Sequence, residues 1–155
     1  MTGVAERTAQ VMVAEIGTDM TRFPTPGHLA SWAGRCPGND QSAGKRRSGH
    51  TRKGSKWLRI ALEESSLAAT RTKDSYLQAQ YQRLRPRIGH RRALVAVQHS
   101  MLIAYWHMFT TGETYHDLGG DYFRKRDPER QTRRLVAQLE RLGHKVTLEA
   151  LPQAA

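Results

Sequence analysis

The sequence has few of the features that would place it outside the cytoplasm. Cys36 is its only cysteine, which excludes an internal disulfide and a Cys-x-x-Cys zinc site. The longest apolar run, residues 93–109, is interrupted by polar side chains and is short for a membrane span. The N-terminus lacks the charged and apolar regions of a secretory signal. We therefore expect a cytoplasmic protein with no membrane partner.

Acidic residues are absent between Asp40 and Glu63, where the chain instead concentrates positive charge. Lys and Arg number 25 against 14 Asp and Glu over 155 residues, giving a net charge of +11. Because such a surplus attracts polyanions over long distances, nucleic acid is the expected partner. The acids that flank the gap are scattered, whereas two-metal cleavage needs clustered carboxylates, so no metal site is expected in this chain.

The spacing of apolar residues predicts an all-α fold of about six helices, with a basic, glycine-rich loop between the second and third. Thr25, Ser55 and Asp127 are the predicted N-caps of three helices, and Pro86 is predicted to end a fourth. The predicted helices cover residues 4–16, 26–34, 56–72, 73–84 and 91–109, with a last one beginning after Asp127.

The third helix is predicted to bury one stripe, made of Trp57, Ile60, Ala61, Leu67 and Ala68. The three tryptophans are likewise assigned to the core, in preference to base stacking. We expect one domain over residues 1–126, followed by an amphipathic helix and tail at 127–155. The domain is divided into a partial helix-hairpin-helix at 1–34, the basic loop at 35–55 and a helical core at 56–110.

The N-terminal stretch "TGVAERTAQVMVAEIG" places a glycine turn before a helix start. Free backbone N–H groups at such a site bind phosphate, and a helix-hairpin-helix motif holds a nucleic-acid backbone in this way. Ala5 stands where that motif has a second glycine. An ordinary amphipathic helix explains the pattern equally well.

The stretch "SAGKRRSGHTRKGSKWLR", residues 42–59, is the strongest candidate for backbone binding. Arg46 and Arg47 are suited to bidentate phosphate contacts. Arg52, Lys56 and Arg59 have the spacing of one helical face. The expected nucleic-acid-binding residues are Lys45, Arg46, Arg47, Arg52, Lys53, Lys56 and Arg59, and a second cluster, Arg83, Arg85, Arg87, Arg91 and Arg92, extends the footprint.

Ser42 stands at the entrance to this basic stretch. A serine attacks phosphorus only if a base takes its proton, and no neighbouring residue is an evident base. Residue chemistry alone therefore favours a turn or phosphate-bonding serine over a nucleophile.

The stretch from Ala14 to Arg59 closely resembles the C-terminal domain of the insertion-sequence 110/116/902 family of transposases. The resemblance continues through "YQRLRPRIGHRRALVAVQHSMLIAYWHMFTTGETYHDLGGDYF" and the "DPERQTRRLVAQLERLGHKVTLE" tail, and so covers nearly the whole chain. It is carried by an ordered set of positions: Phe23, Ala33–Gly34, Pro37, Ser42, Lys53–Gly54 and Leu58–Arg59.

This resemblance implies a two-part enzyme that cleaves and exchanges DNA strands. An N-terminal RNase-H-like domain would bind magnesium, and the serine of the C-terminal domain, here Ser42, would be the nucleophile. Implied partners are DNA, a guide RNA in some members, and further copies of the complete enzyme. The family serine is commonly followed by glycine, whereas Ala43 follows it here.

The acidic domain is not among these residues, so we expect a truncated chain that binds DNA without cutting it. The RNase-H-like domain could then come from a separately encoded chain. A non-enzymatic, basic nucleic-acid-binding protein is the alternative left open.

Overall fold

The structure, a computed structural model, describes residues 1–36, 40–48 and 50–149, with backbone alone for residues 40–42 and 46–48. The prediction of an all-α fold is confirmed, and the basic loop additionally carries a short β-hairpin. None of the described helices is long and apolar enough to cross a membrane. The helices are α1 Glu6–Ile16, α2 Pro26–Trp32, α3 Lys56–Arg71, α4 Tyr76–Ile88, α5 His90–Thr111, α6 Tyr122–Lys125 and α7 Pro128–Arg141; a 3-10 helix covers Met20–Arg22, and the strands are β1 Asp40–Ser42 and β2 Lys45–Ser48.

The chain divides into two compact units, Met1–Asp121 and Tyr122–Ala155. Within the second unit, Asp127 caps α7 by accepting a hydrogen bond of 3.0 Å from the backbone N–H of Arg130. Leu135 and Leu139 of this amphipathic helix and Leu142, which follows its last residue, are all exposed. The functional division at residues 126 and 127 stays a prediction.

The core of the first unit is built around α5, which packs against α2, α3 and α4. Its buried side includes Val97, Met101 and Leu102. Local chemistry sets where the neighbouring helices begin: the side chains of Thr25 and Ser55 accept hydrogen bonds from backbone N–H groups of α2 and α3. Both predicted caps are thereby confirmed.

The buried face of α3 differs from the predicted one. Trp57 is 63% exposed, and Ile60, Leu67 and Ala68 are exposed as well. Of the predicted stripe only Ala61 is buried, and the helix also buries Leu58, Leu62, Ser65, Ser66 and Ala69. The two serines can lie in the core because they are small, and because Ser66 accepts a 3.0 Å hydrogen bond from Gln98 of α5 and donates one to a backbone carbonyl.

The predicted end of α4 before Pro86 is wrong, since the helix continues to Ile88. Pro86 lacks a backbone donor and so removes one hydrogen bond to the preceding turn, but the bonds made by the residues after it can still form. The backbone N–H of Gly89 still bonds to the carbonyl of Arg85 at 2.9 Å. Packing of α4 along α5 supports the extra turn.

The connector between α5 and α6, residues 112–121, is held in place by the Asp117 carboxylate. This group accepts hydrogen bonds from residues in distant parts of the chain. It accepts hydrogen bonds from the Thr2 hydroxyl at 2.7 Å and the Tyr76 N–H at 2.8 Å. Two more come from the Tyr115 hydroxyl at 3.3 Å and the Gly119 N–H at 2.9 Å. Burial alone would raise the pKa of Asp117, but these bonds outweigh it and hold the pKa below its usual value.

We expect Asp117→Asn to lower the free energy of unfolding by about 2 kcal/mol at neutral pH, because an amide nitrogen does not accept the hydroxyl bonds. A carboxyl group with a lowered folded pKa stabilises the fold above its unfolded pKa, and this contribution is lost as pH falls through the folded pKa. The stability gap between the two proteins should therefore close in acid. Urea unfolding of both proteins at a series of pH values measures this difference in unfolding free energy.

Glu113→Gln is the matched control, since Glu113 lies exposed in the same connector. Its unfolding free energy should stay within about 0.5 kcal/mol of the unaltered chain. A gap for Asp117→Asn that persists unchanged in acid would contradict the assignment to ionised Asp117.

Candidate nucleic-acid interface

The basic loop is closed by a backbone contact between two glycines, Gly34 and Gly54, which we call the loop base. A Cβ added to Gly54 would lie 2.4 Å from the carbonyl oxygen of Ala33. One added to Gly34 would lie 2.3 Å from that of Arg52, and Gly34 also has a φ of +66°. Only glycine permits so close an approach. The segments that enter and leave the loop therefore run side by side.

The hairpin of β1 and β2 lies inside this loop. Ser42 pairs with Lys45, and a bulge separates Asp40 from Gln41 along β1. The two turn residues, Ala43 and Gly44, have φ values of +50° and +74°. Positive φ at both positions defines the type I′ turn that suits the twist of a two-residue hairpin.

The hairpin presents Ser42 immediately before its turn and Lys45 immediately after it. Lys45 is exposed. The side chains of Ser42, Arg46 and Arg47 lie outside the described part of the structure. Their assigned roles therefore stay predictions, and the structure shows only their places along the hairpin backbone.

The chain leaves the loop through Arg52 and Lys53 and enters α3 at Lys56, and these three side chains and that of Arg59 are exposed. The predicted common helical face of residues 52, 56 and 59 is wrong for Arg52. That residue precedes the N-cap Ser55 and is not helical. Lys56 and Arg59 are one turn apart at the start of α3, so these two lie on adjoining positions of one face.

Ser55 joins the start of α3 to α1. Its hydroxyl donates to a carboxylate oxygen of Glu15 at 2.7 Å and accepts the N–H of Leu58 at 3.3 Å. A negative charge near a helix N-terminus is favourable. The helix that carries Lys56 and Arg59 is thereby fixed against the N-terminal helix.

Arg35, which the sequence analysis did not single out, is a buried charge at the start of the loop. Its side chain is 7% exposed, and its Nε has no hydrogen-bond partner among the described atoms. Burial lowers the pKa of the guanidinium, and Arg59 lowers it further, while the neighbouring Glu63 raises it. An arginine stays charged under these influences. Arg35 therefore adds positive charge beneath the exposed residues.

Cys36 is half-buried, and its Sγ lies 3.7 Å from Nδ1 of His99 on α5. The same ring nitrogen lies 3.3 Å from the carbonyl oxygen of Arg35. Burial raises the pKa of the Cys36 thiol, so it stays protonated at neutral pH. These contacts fix the entry of the loop to the central helix.

The N-terminal glycine turn packs against α3. Gly3 has a φ of +79°, and an added Cβ would lie 2.4 Å from the carbonyl oxygen of Ser65. Close helix packing is thus sufficient to explain this glycine. Ala5 gives α1 no side-chain cap, but Glu6 lies in its first turn, where a carboxylate would repel phosphate. Phosphate binding by a helix-hairpin-helix stays a prediction.

The second arginine cluster lies where α4 meets α5, with Tyr81 and His90 joined across the corner by a 2.7 Å hydrogen bond. Its five side chains, Arg83, Arg85, Arg87, Arg91 and Arg92, are exposed.

Side chains of the types that bind metals are scattered among the described residues. No group of three or more His, Cys, Asp or Glu side chains among them is arranged to hold a metal ion. Glu63 and Glu64, for example, are neighbours along α3 and have no third carboxylate grouped with them.

Residues 1–82 match the family model described as Transposase IS116/IS110/IS902 family. The chain is also similar to a Streptomyces coelicolor protein described as "Insertion element IS110 uncharacterized 43.6 kDa protein". The two are 33% identical over 117 residues, which is 74% of this chain and 28% of that relative. No solved structure gives a significant match.

Proposed function

The chain belongs to the IS116/IS110/IS902 family of transposases, and from this premise we propose that it is the DNA-binding, serine-bearing part of a transposition machine. It spans 28% of the curated relative that it matches, so the strand-cleaving activity of the whole enzyme is part of this proposal. The basic loop and the start of α3 form the DNA-binding surface.

One observation carries the proposal: the exposed lysines and arginines that follow the hairpin lie next to the closed base of the loop. Gly34 and Gly54 fix its base, and Ser55 fixes the helix start to Glu15. No acidic residue occurs in the sequence between Asp40 and Glu63, and the exposed cations outnumber the Glu15 carboxylate at the start of α3. Phosphate groups supply the missing counter-charge, and they do so without reading sequence.

In the proposed reaction, the Ser42 hydroxyl attacks a DNA phosphorus atom. A bond forms between Oγ and phosphorus, the bond to one strand oxygen breaks, and that strand leaves as a hydroxyl after taking up a proton. Arg46 and Arg47 stabilise the developing phosphate charge. The hydroxyl of a second strand then attacks the serine phosphodiester and restores Ser42.

The base that accepts the Ser42 proton is proposed to come from an RNase-H-like domain outside these residues. The resemblance implies that the magnesium-binding carboxylates lie in that domain. This agrees with the scattered positions of the acidic residues in the present chain. A guide RNA and assembly into homo-oligomers belong to the same proposal for the complete enzyme.

We expect DNA binding to weaken steeply as salt rises, because phosphate contacts release counterions. Changing Lys53, Lys56 and Arg59 together to alanine should reduce the slope of log affinity against log salt by about 2–3, roughly one for each lost phosphate contact. Fluorescence anisotropy with a labelled duplex over a salt series measures the slope.

The matched control changes Arg130, Arg133 and Arg134 of α7, three exposed arginines, and removes the same formal charge. This control should keep nearly the whole slope. Equal slopes for the loop variant and the unaltered chain would refute the proposed surface, and so would binding that ignores salt.

A further inference from the structure

Trp57 is the most exposed tryptophan of the first unit, at 63%, although the sequence pattern assigns it to the core. Trp106 is partly buried, and its Nε1–H donates to the carbonyl of Phe23 at 2.9 Å. Trp32, at 43% exposed, contacts the Phe23 ring at 5.4 Å between centroids. Trp57 has no such aromatic or hydrogen-bonding contact among the described residues, so a large apolar ring faces solvent.

The surroundings of this ring are basic. The Lys56 ammonium lies 5.6 Å from the ring centroid, within cation–π distance. Lys53 and Arg59 are exposed within four positions along the chain on either side. The first acidic residues of α3, Glu63 and Glu64, lie beyond the first helical turn, which carries Trp57. An aromatic ring surrounded by cations is suited to bind a nucleotide, because the base can stack on the ring while the phosphate contacts the positive charges.

We propose that Trp57 is a stacking platform for an unpaired base of a DNA strand whose phosphates meet Lys53, Lys56 and Arg59. This inference rests on the proposed function, since strand exchange passes through unpaired DNA. A base inside a duplex keeps both faces covered by its neighbours, whereas an unpaired base offers a free face to the indole. The positive flank disfavours an apolar protein partner, which would leave these charges without counter-ions.

The test compares two single-stranded DNA oligomers of equal length, one of thymidines and one abasic throughout. Both carry the same phosphates, so their affinity ratio isolates the contribution of the bases. We expect the thymidine oligomer to bind about tenfold tighter, in the range of one stacked base. Trp57→Leu should reduce this ratio to about one, and Trp57→Tyr, which keeps a π face, should retain most of it.

Leu67→Ala is the matched control, because Leu67 is also exposed on α3 but follows Glu63 and Glu64. It should leave the ratio unchanged. Circular dichroism should show the same helix content for every variant, since both positions are exposed.

Equal affinity of the unaltered chain for the two oligomers would overturn the platform while leaving salt-dependent binding, and hence the proposed function, intact. A base-dependent ratio that survives in Trp57→Leu would place the stacking residue elsewhere and overturns the assignment as well. A larger ratio for RNA than for DNA oligomers would assign the platform to RNA and overturn its use for a DNA strand.

Discussion

Gly54→Ala is expected to lower the free energy of unfolding by about 3 kcal/mol, an effect typical of overpacking against rigid neighbours. The added methyl group would lie 2.4 Å from the carbonyl oxygen of Ala33, so backbone on one side of the loop base must move. The melting temperature should fall by roughly 6–12 °C, since about 1 kcal/mol corresponds to 2–4 °C in a protein of this size. DNA affinity should fall with it, because Lys53 and Lys56 flank the displaced position.

Gly27→Ala controls for the loss of a glycine as such. Gly27 lies in the first turn of α2, and a Cβ there would be 3.6 Å from the Thr25 hydroxyl oxygen, an ordinary contact. Its unfolding free energy should stay the same or rise by up to about 1 kcal/mol. Differential scanning calorimetry on both variants gives the comparison. A Gly54→Ala protein that melts with the unaltered chain would show that the loop base is not closed as described.

Ser42→Ala is expected to abolish a covalent protein–DNA species while DNA affinity changes less than about twofold, because one hydroxyl is a small part of a many-charged surface. The species should form only when the chain is mixed with an RNase-H-like domain of a relative, a matching element end, magnesium and any guide RNA. It would be seen as a labelled DNA band that survives denaturation. The chain alone should bind DNA and leave it uncut, since an unaided serine is a weak nucleophile.

Ser48→Ala is the matched control within the same hairpin, where Ser48 pairs with Asp40. It should retain the attached species. Loss of attachment in Ser48→Ala, with retention in Ser42→Ala, would move the nucleophile to Ser48. If the unaltered chain never becomes attached in any mixture, the non-enzymatic binding protein becomes the better interpretation.

Three helix starts were predictable from this sequence because capping depends on a few adjacent residues, whereas α4 begins at Tyr76 after the cap Ser75 and was placed three residues too early. Thr25, Ser55 and Asp127 each accept a backbone hydrogen bond from the helix that they precede. The end of α4 was not predictable in the same way. Whether a helix continues past Pro86 depends on its packing against α5, which is not written in the local sequence.

The core of α3 shows why periodicity alone misplaced Trp57. Apolar residues occur on several faces of this helix, so more than one stripe fits helical spacing. The buried stripe contains Ser65 and Ser66, which a hydropathy pattern counts as exposed. Their burial follows from partners far along the chain, namely Gln98 for Ser66 and the close approach of Gly3 to Ser65.

The candidate site was predictable in its charge and in the location of Ser42 along the chain. Its geometry was not, because the loop base joins positions 34 and 54 through backbone contacts that leave no hydrophobic pattern. Arg35 was missed for a similar reason. The sequence does not distinguish a buried arginine from a solvated one, and the burial of Arg35 near Glu63 is visible only in the folded structure.

The closed loop base also bears on how this surface can diversify during evolution. Because Gly34 and Gly54 are in contact, backbone packing outside the hairpin holds the two ends of the loop together and offsets the entropy cost of closing it. Lengthening the segment between them costs little in this situation, about 0.6 kcal/mol for each doubling. The segment between the two glycines can therefore change in length or sequence without altering the helices that hold its base.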